Sequence, residues 1–345
     1  MPGDAGLPAR KSDHIRINLE EDVRSGITTG LEKYHFIHQA LPELNLDEID
    51  LSQKLFGKVL KAPILISSMT GGTKEAASIN RVLAECAQKN GLAMGLGSQR
   101  AAIEHPELAY TYQIRKIAPD ILLFANLGAI QLNYSYTLEH CKRAIDMVEA
   151  DALILHLNAL QEALQPEGDT RFGGLINKIE MVCRHLNVPV IAKEVGWGLS
   201  QTAARLLENA GVAAIDVAGA GGTSWSQVEM YRNKDEHQAR IAAVFRDWGI
   251  STSDSIQTVH AVAPEMVIFA SGGLRNGIDI AKCIALGARL GGIAGPFLKS
   301  AIVSIDETLK VIDEIQQEMA ICMFAVGAAN LAQLQLTTLI KDPGR

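Results

Sequence analysis

The sequence predicts an α/β fold: a (β/α)₈ TIM barrel with an N-terminal extension and C-terminal helices. Two observations carry this. Eight short apolar runs, each four to eight residues at its core, recur along the chain, mostly separated by segments with helical apolar spacing such as AASINRVLAECAQKN and LSQTAARLLENAG. The first run is followed by no GxGxxG turn, which weakens the alternative of an open doubly wound sheet.

Taken in order, residues 1–60 form an extension that contains RKSDHI and the turn Gly26-Ile27-Thr28-Thr29-Gly30, and that can reach an active site, its own or a neighbour's. The catalytic barrel spans residues 61–340. Its strands are PILISSM from Pro63, GLAMGLG from Gly91, DILLFANLG from Asp120 and ALILHLN from Ala152. PVIAKEVG from Pro189, AAIDVAGAGG from Ala213, EMVIFASGG from Glu265 and ARLGGIAGPF from Ala288 complete the eight. Between Gly222 and Pro264 the crossover is too long, and its polar portion TSWSQVEMYRNKDEHQAR is expected to be an extended loop over the barrel mouth, before a helix around Ile241 to Trp248. EMAICMFAVGAANLAQLQLTTLI near the C-terminus reads as an apolar helix pair and as the best packing or subunit surface.

Composition narrows the function. With 48% hydrophobic residues, 345 residues can bury one large core, and a formal charge of −7 argues against nucleic acid as the main partner. No apolar run approaches the ~18 residues needed to span a bilayer, and MPGDAGLPARKSDH has no apolar signal core, so a cytoplasmic protein without a membrane partner is expected. The five cysteines are widely spaced and lack any CxxC pairing, so neither a zinc site nor a disulfide framework is suggested; Cys86, Cys141 and Cys183 read as small buried hydrophobes.

Phosphate binding is the first chemistry to emerge. Gly272 and Gly273 close the seventh strand, while Ala294 and Gly295 close the eighth. Barrel phosphate sites are frequently built from these last two loops, where glycine admits close backbone approach and helix N-termini offer free N–H groups. Thr223 adds a hydroxyl to the same region. Such a site serves either a substrate or a cofactor tail; the other strand ends favour a flavin. Ser68, Met69, Thr70, Ser98, Asn126 and Lys193 set hydroxyl, amide and ammonium groups around a planar ring, the mixture by which barrels recognise FMN. Lys193 ends a strongly apolar strand, and a flavin contact is preferred for it over an ion pair with Glu194 or Asp216.

The most specific stretch is His156-Leu157-Asn158-Ala159-Leu160-Gln161-Glu162, four polar side chains at the end of a buried strand. With Arg10-Lys11 and Ser98-Gln99-Arg100, in this order along the chain, it resembles the type 2, flavin-dependent isopentenyl diphosphate isomerases from about Arg10 to Leu339. That resemblance implies interconversion of isopentenyl and dimethylallyl diphosphate by an allylic proton shift without net redox change. FMN in its reduced form would act as proton donor and acceptor, and NAD(P)H would serve only as its reductant. Arg10, Lys11, Ser98, Gln99 and Arg100 would then bind the substrate diphosphate end, assisted by Asn158 and with His14 at hand. Gln161 would touch the substrate near its reacting carbons and His156 would support the chemistry. Glu162 would hold Mg²⁺, which needs only one or two carboxylates beside substrate phosphates. Lys193 would stabilise negative charge at the pyrimidine edge of the reduced flavin, and the protein would assemble as a homotetramer or larger homo-oligomer. Two rival readings are an FMN-dependent 2-hydroxy acid oxidase or dehydrogenase, which needs a late histidine base where no histidine follows His260, and a non-catalytic phosphate-binding barrel.

Overall fold

A computed structural model describes residues 6–342. Eight parallel strands close into a barrel in sequence order: β1 (Ile64–Ile66), β2 (Ala93–Gly95), β3 (Leu122–Gly128), β4 (Ala152–Leu157), β5 (Val190–Glu194), β6 (Ala214–Asp216), β7 (Val267–Ser271) and β8 (Leu290–Ile293). Ring closure is made by β8 on β1, with Gly291 opposite Ile64 and Ile293 opposite Ile66. All eight strands coincide with the eight apolar runs. The reason is burial on both sides: Leu65, Phe124, Ile154, Ile191 and Phe269 fill the barrel interior, while Ile64, Ile66, Leu123, Leu155 and Ile268 pack outward against the helices. Phe124 and Phe269 stack with centroids 5.9 Å apart, each ring contributing roughly 1.5–3 kcal/mol by burial.

Helices α2 (Lys74–Asn90), α3 (Leu138–Val148), α4 (Leu175–His185), α5 (Gln201–Asn209), α8 (Thr252–Val262) and α9 (Gly277–Ala285) surround the barrel. Several of them start after side-chain caps, Thr73 accepting from Ala76 N–H, Ser200 from Ala203 N–H and Ser251 from Asp254 N–H, whereas α4 starts after Gly174 without one. A hairpin of Gln53–Leu55 and Lys58–Leu60 packs Leu55, Leu60 and Phe56 against the residues at the strand starts, closing the end of the barrel away from the site.

Two regions differ from expectation. The segment after Gly222 is helical: α6 (Trp225–Arg232) and α7 (Glu236–Ala243) precede α8. The expected extended loop is therefore two short helices, and the helix expected over Ile241 to Trp248 is confined to the end of α7 followed by turns. α6 hides from a periodicity reading because Ser226, Gln227 and Glu229 are buried alongside Val228, so its polar residues do not mark a solvent face. The extension, in turn, opens with α1 (Gly6–Glu20) and later sends the strand Tyr34–Phe36 to pair antiparallel with Leu339–Lys341. The C-terminal pair is unequal: α10 (Ile305–Val326) and the single turn-and-a-half Leu331–Gln335. α10 buries Thr308, Ile312, Ile315, Met319 and Met323 against the barrel helices, so most of its apolar stripe is used within the chain. No helix among the described residues is long and apolar enough to cross a membrane, and all five cysteines are free.

Candidate active site

All eight strands deliver their C-terminal ends to one cavity of about 930 Å³. α1 covers it, contributing Arg10, Lys11, His14, Ile15 and Asn18 to the wall. The cover is tied down at three points: Ser224 N–H donates to Val23 C=O at 2.7 Å, the Thr223 hydroxyl donates to Asn18 Oδ1 at 3.3 Å, and the His14 ring meets Trp225 edge-on at 5.0 Å. Thr223 thus fastens the extension as well as lining the cavity.

At the bottom lie the polar strand ends. Ser68, Met69 and Thr70 follow β1, Ser98 follows β2, and Asn126, His156 and Lys193 end β3, β4 and β5; all line the cavity. The hydroxyl oxygens of Ser67, Ser68 and Thr70 are buried without a hydrogen-bond partner, an arrangement that is costly unless a ligand satisfies it. A planar heterocycle edged with carbonyl and N–H groups fits that donor set, so the residues present suit FMN. His156 Nδ1 lies 2.8 Å from Asn126 Oδ1. Burial, reinforced by Lys11, Lys193 and Arg10, pushes the imidazole down to about 3, leaving it neutral.

Lys193 is more constrained than expected. Its ammonium lies 3.2 Å from Asp216 Oδ2 and donates to Ser271 Oγ at 3.3 Å and to Glu194 C=O at 3.0 Å. The ion pair ranked second from sequence is therefore made, with Asp216 as the partner, while Lys193 also remains on the cavity wall. Glu194 turns its carboxylate to the N–H groups of Val195, Gly196 and Trp197 instead, and burial raises it to about 7.

The glycine rim is also built differently from a simple anion cradle. A Cβ on Gly272 would sit 2.0 Å from Gly219 C=O, and one on Gly273 would sit 2.4 Å from Gly221 C=O, with both residues at positive φ. These glycines are required for the β6 and β7 loops to pack backbone on backbone. Gly295 is the contrasting case: a Cβ there meets nothing within 4 Å. Ala294 and Gly295 line the cavity beside Gly272 and Gly273, leaving backbone exposed to a ligand along that edge.

Cations also line the cavity. Arg10, Lys11 and Arg100 line the wall; Arg10 donates to Gln165 Oε1 at 3.1 Å, and Arg100 is held by Glu104 at 2.8 Å and Asp169 at 3.1 Å. Burial, followed by repulsion from Arg10 and Arg100, lowers Lys11 to about 8. Glu162, on the short helix Ala159–Leu164, accepts from Asn158 Nδ2 at 2.8 Å and from Asp169 N–H at 2.7 Å. Among the described residues no group of three or more His, Cys, Asp or Glu could hold a metal.

Gln99 departs from its expected role. It is fully buried outside the cavity wall, donating to Ala144 C=O at 2.8 Å and accepting from Asn126 N–H at 2.9 Å. It braces the β2 loop against β3, so its neighbours Ser98 and Arg100 face the cavity and Gln99 does not. The site also contains a residue the sequence reading passed over. Glu229 of α6 accepts from Gln161 Nε2 at 3.0 Å and from Arg232 at 2.7 Å, with His14 Nε2 3.6 Å away. Burial pulls its pKa upward, yet the contacts with His14, Arg232 and Gln161 outweigh this and leave it below the ordinary value. Glu229 and Arg232, three apart, were the available signal within a segment taken for a loop.

The fold and the polar cavity define a flavin barrel, and a profile of the FMN-dependent dehydrogenases matches residues 149–341. Among solved structures, a mandelate oxidase variant with (S)-mandelic acid superposes at a TM-score of 0.67 and 16% identity, covering 97% of each chain. A flavocytochrome b2 variant with benzoylformate gives 0.66 and 17%, covering 93% of this chain and 77% of that one. At that identity they share the barrel. Much nearer in sequence, the isopentenyl-diphosphate delta-isomerase of Nostoc sp. is 55% identical over 332 residues, covering 96% of this chain and 95% of its own. That of Synechocystis sp. is 57% identical over 328 residues, covering 95% and 94%, and that of Rickettsia prowazekii 50% over 335 residues, covering 97% and 98%. The chain belongs to the type 2, FMN-dependent isopentenyl-diphosphate delta-isomerase family.

Proposed function

We propose that the chain interconverts isopentenyl diphosphate and dimethylallyl diphosphate by a 1,3-allylic proton shift in isoprenoid biosynthesis. The observation that carries this reading is the presence, in one cavity, of three cations (Arg10, Lys11, Arg100), unpartnered hydroxyls and a glycine rim. Two anionic groups are thereby accommodated, one for a substrate and one for a cofactor tail. Gly272, Gly273, Ala294, Gly295 and Thr223 would hold the FMN phosphate end; Ser68, Met69, Thr70, Ser98, Asn126 and Lys193 would border its ring. Bound FMN, in the reduced form, would supply the proton exchange.

The side chains then have distinct tasks. Arg10, Lys11 and Arg100 grip the diphosphate, with Ser98 and Asn158 beside them, and Glu162 holds Mg²⁺ together with diphosphate oxygens. Gln161 is steadied by Glu229, so its amide is aimed rather than free to rotate towards water. With its Nδ1–H donating to Asn126 Oδ1, neutral His156 leaves Nε2 as a hydrogen-bond acceptor and brings no charge to the apolar end of the substrate. α1 and the 1–60 extension would keep water from the reacting carbons. NAD(P)H as reductant, a cytoplasmic location and assembly into a homotetramer or larger oligomer belong to the same reading. Turnover of isopentenyl diphosphate should appear only after the flavin is reduced, by dithionite or NAD(P)H without oxygen; equal rates with oxidised and reduced FMN would remove the flavin from the chemistry.

A further inference from the structure

Lys193 and Asp216 form a buried ion pair at the cavity floor. Asp216 is fully buried and Lys193 nearly so, and such a pair is stable only when each charge is met. Every hydrogen-bonding position around Asp216 refers back to the lysine or its strand neighbours. Its Oδ1 accepts from Ser271 Oγ at 2.7 Å and from Ala218 N–H at 3.3 Å, while Oδ2 has no other partner and lies 3.2 Å from the ammonium. Ser271 bridges the two, accepting from Lys193 and donating to Asp216. One carboxylate and one hydroxyl, from β6 and β7, thus fix an ammonium from β5 so that it lies on the cavity wall.

We infer that Asp216 is a positioning residue that keeps Lys193 charged and aimed at the flavin, and so sets how strongly the site prefers reduced, negatively charged FMN over oxidised FMN. The inference rests on the flavin reading given above. Without a counter-ion, a buried lysine loses its proton more readily. The other charges around it cannot replace Asp216. Glu194 gives Lys193 only its carbonyl, its carboxylate being spent on three N–H groups; His156 on β4 is neutral; Lys11 and Arg10 on the cover repel. Asp216 itself need not touch the cofactor, since it acts through Lys193.

The test measures the affinity of the holoenzyme for oxidised and reduced FMN, from binding and bound-flavin reduction potential, between pH 6 and 9. Lys193→Met should lower the preference for reduced FMN at least about tenfold at pH 9, where the reduced flavin is anionic, which is about 30 mV for a two-electron couple. Asp216→Asn should match that loss at pH 9 and recover progressively as the pH falls, because the lysine is recharged. Lys193→Arg/Asp216→Asn should show no such pH step, since arginine keeps its proton without a counter-ion. An Asp216→Asn profile parallel to wild type overturns the inference. Wild type against Lys193→Met is a test that needs no Asp216 variant: an equal preference for reduced FMN in the two proteins at pH 9 also overturns it. A wild-type chain that takes up no FMN fails the cofactor reading and the inference with it, whereas a chain that takes up FMN but lacks these differences fails the inference alone.

Discussion

The two sides of the cavity meet negative charge by different means. On the β6 to β8 side main chain reaches the wall at Gly272, Gly273, Ala294 and Gly295, with Arg275 and Lys299 lining the cavity beside it. On the α1 side it is side chain: Arg10 held by Gln165, Arg100 held by Glu104 and Asp169, and Lys11 repelled by both arginines. A backbone rim is fixed once the loops pack and suits a group that stays bound. A cluster of cations held by exchangeable partners suits a group that enters and leaves at each turnover. Damage to one side should therefore cost cofactor, and damage to the other should cost substrate affinity.

The largest effect is expected at the rim. Gly295→Leu adds bulk where the fold leaves open space, so the protein should fold and yet lose FMN affinity by about a hundredfold or more, as charge-assisted hydrogen bonds worth roughly 1.5–3 kcal/mol each are blocked. Absorbance near the flavin band against protein concentration measures it. Gly273→Val should also give apoprotein, but with lower thermal stability, because its Cβ would strike Gly221. Full flavin content in Gly295→Leu would move the phosphate elsewhere and dissolve the contrast between the two sides.

Next comes the metal. Glu162→Gln retains size and the hydrogen bond from Asp169 N–H but loses the anionic oxygen, so the Mg²⁺ concentration for half-maximal rate should rise about ten- to a hundredfold while flavin content holds. An unchanged Mg²⁺ titration would pass the ligand role to another residue.

The same two sides differ in how much the sequence discloses. All eight barrel strands were legible because each is apolar on both faces, and the polar residues that end them stand out against that background, as in His156 to Glu162. The cover was not. α1 turns Arg10, Lys11, His14 and Asn18 to the cavity while Arg16 and Glu20 face solvent, and α6 buries Ser226, Gln227 and Glu229, so no single apolar face marks either as a helix. Only local signs remained, such as Asp235 capping α7 and the Ser251-to-Asp254 cap of α8. Gln99 failed for a related reason: its place in a run with Ser98 and Arg100 says nothing about which way each side chain turns at a strand end.

A smaller effect is expected from Arg100→Ala. The guanidinium is already shared between Glu104 and Asp169, so the diphosphate competes with two carboxylates for it. Loss of one charge-assisted contact should raise KM for isopentenyl diphosphate about tenfold and at most about a hundredfold, with lower kcat and unchanged FMN content. If Arg100→Ala instead sheds flavin and leaves KM alone, the assignment of the two sides is reversed.

The smallest and most diagnostic effect is the pH dependence of substrate binding. In the free protein Lys11 is lowered to about 8 by burial and then by Arg10 and Arg100. A bound diphosphate favours the charged form, so the lysine holds its proton more tightly in the complex than in the free protein. Below pH 8 the ammonium is present in both, and KM should be flat. Above pH 8 the free protein has lost the proton, so binding must take one up. KM should then climb with a slope approaching about tenfold per pH unit until the pKa of the complex is reached. Lys11→Met should begin at a higher KM and show no such rise, because its side chain has no proton to lose. Steady-state kinetics on both proteins between pH 6.5 and 9.5 decide the matter. Parallel KM profiles would mean that Lys11 does not face the diphosphate, and the cation cluster would then reduce to its two arginines.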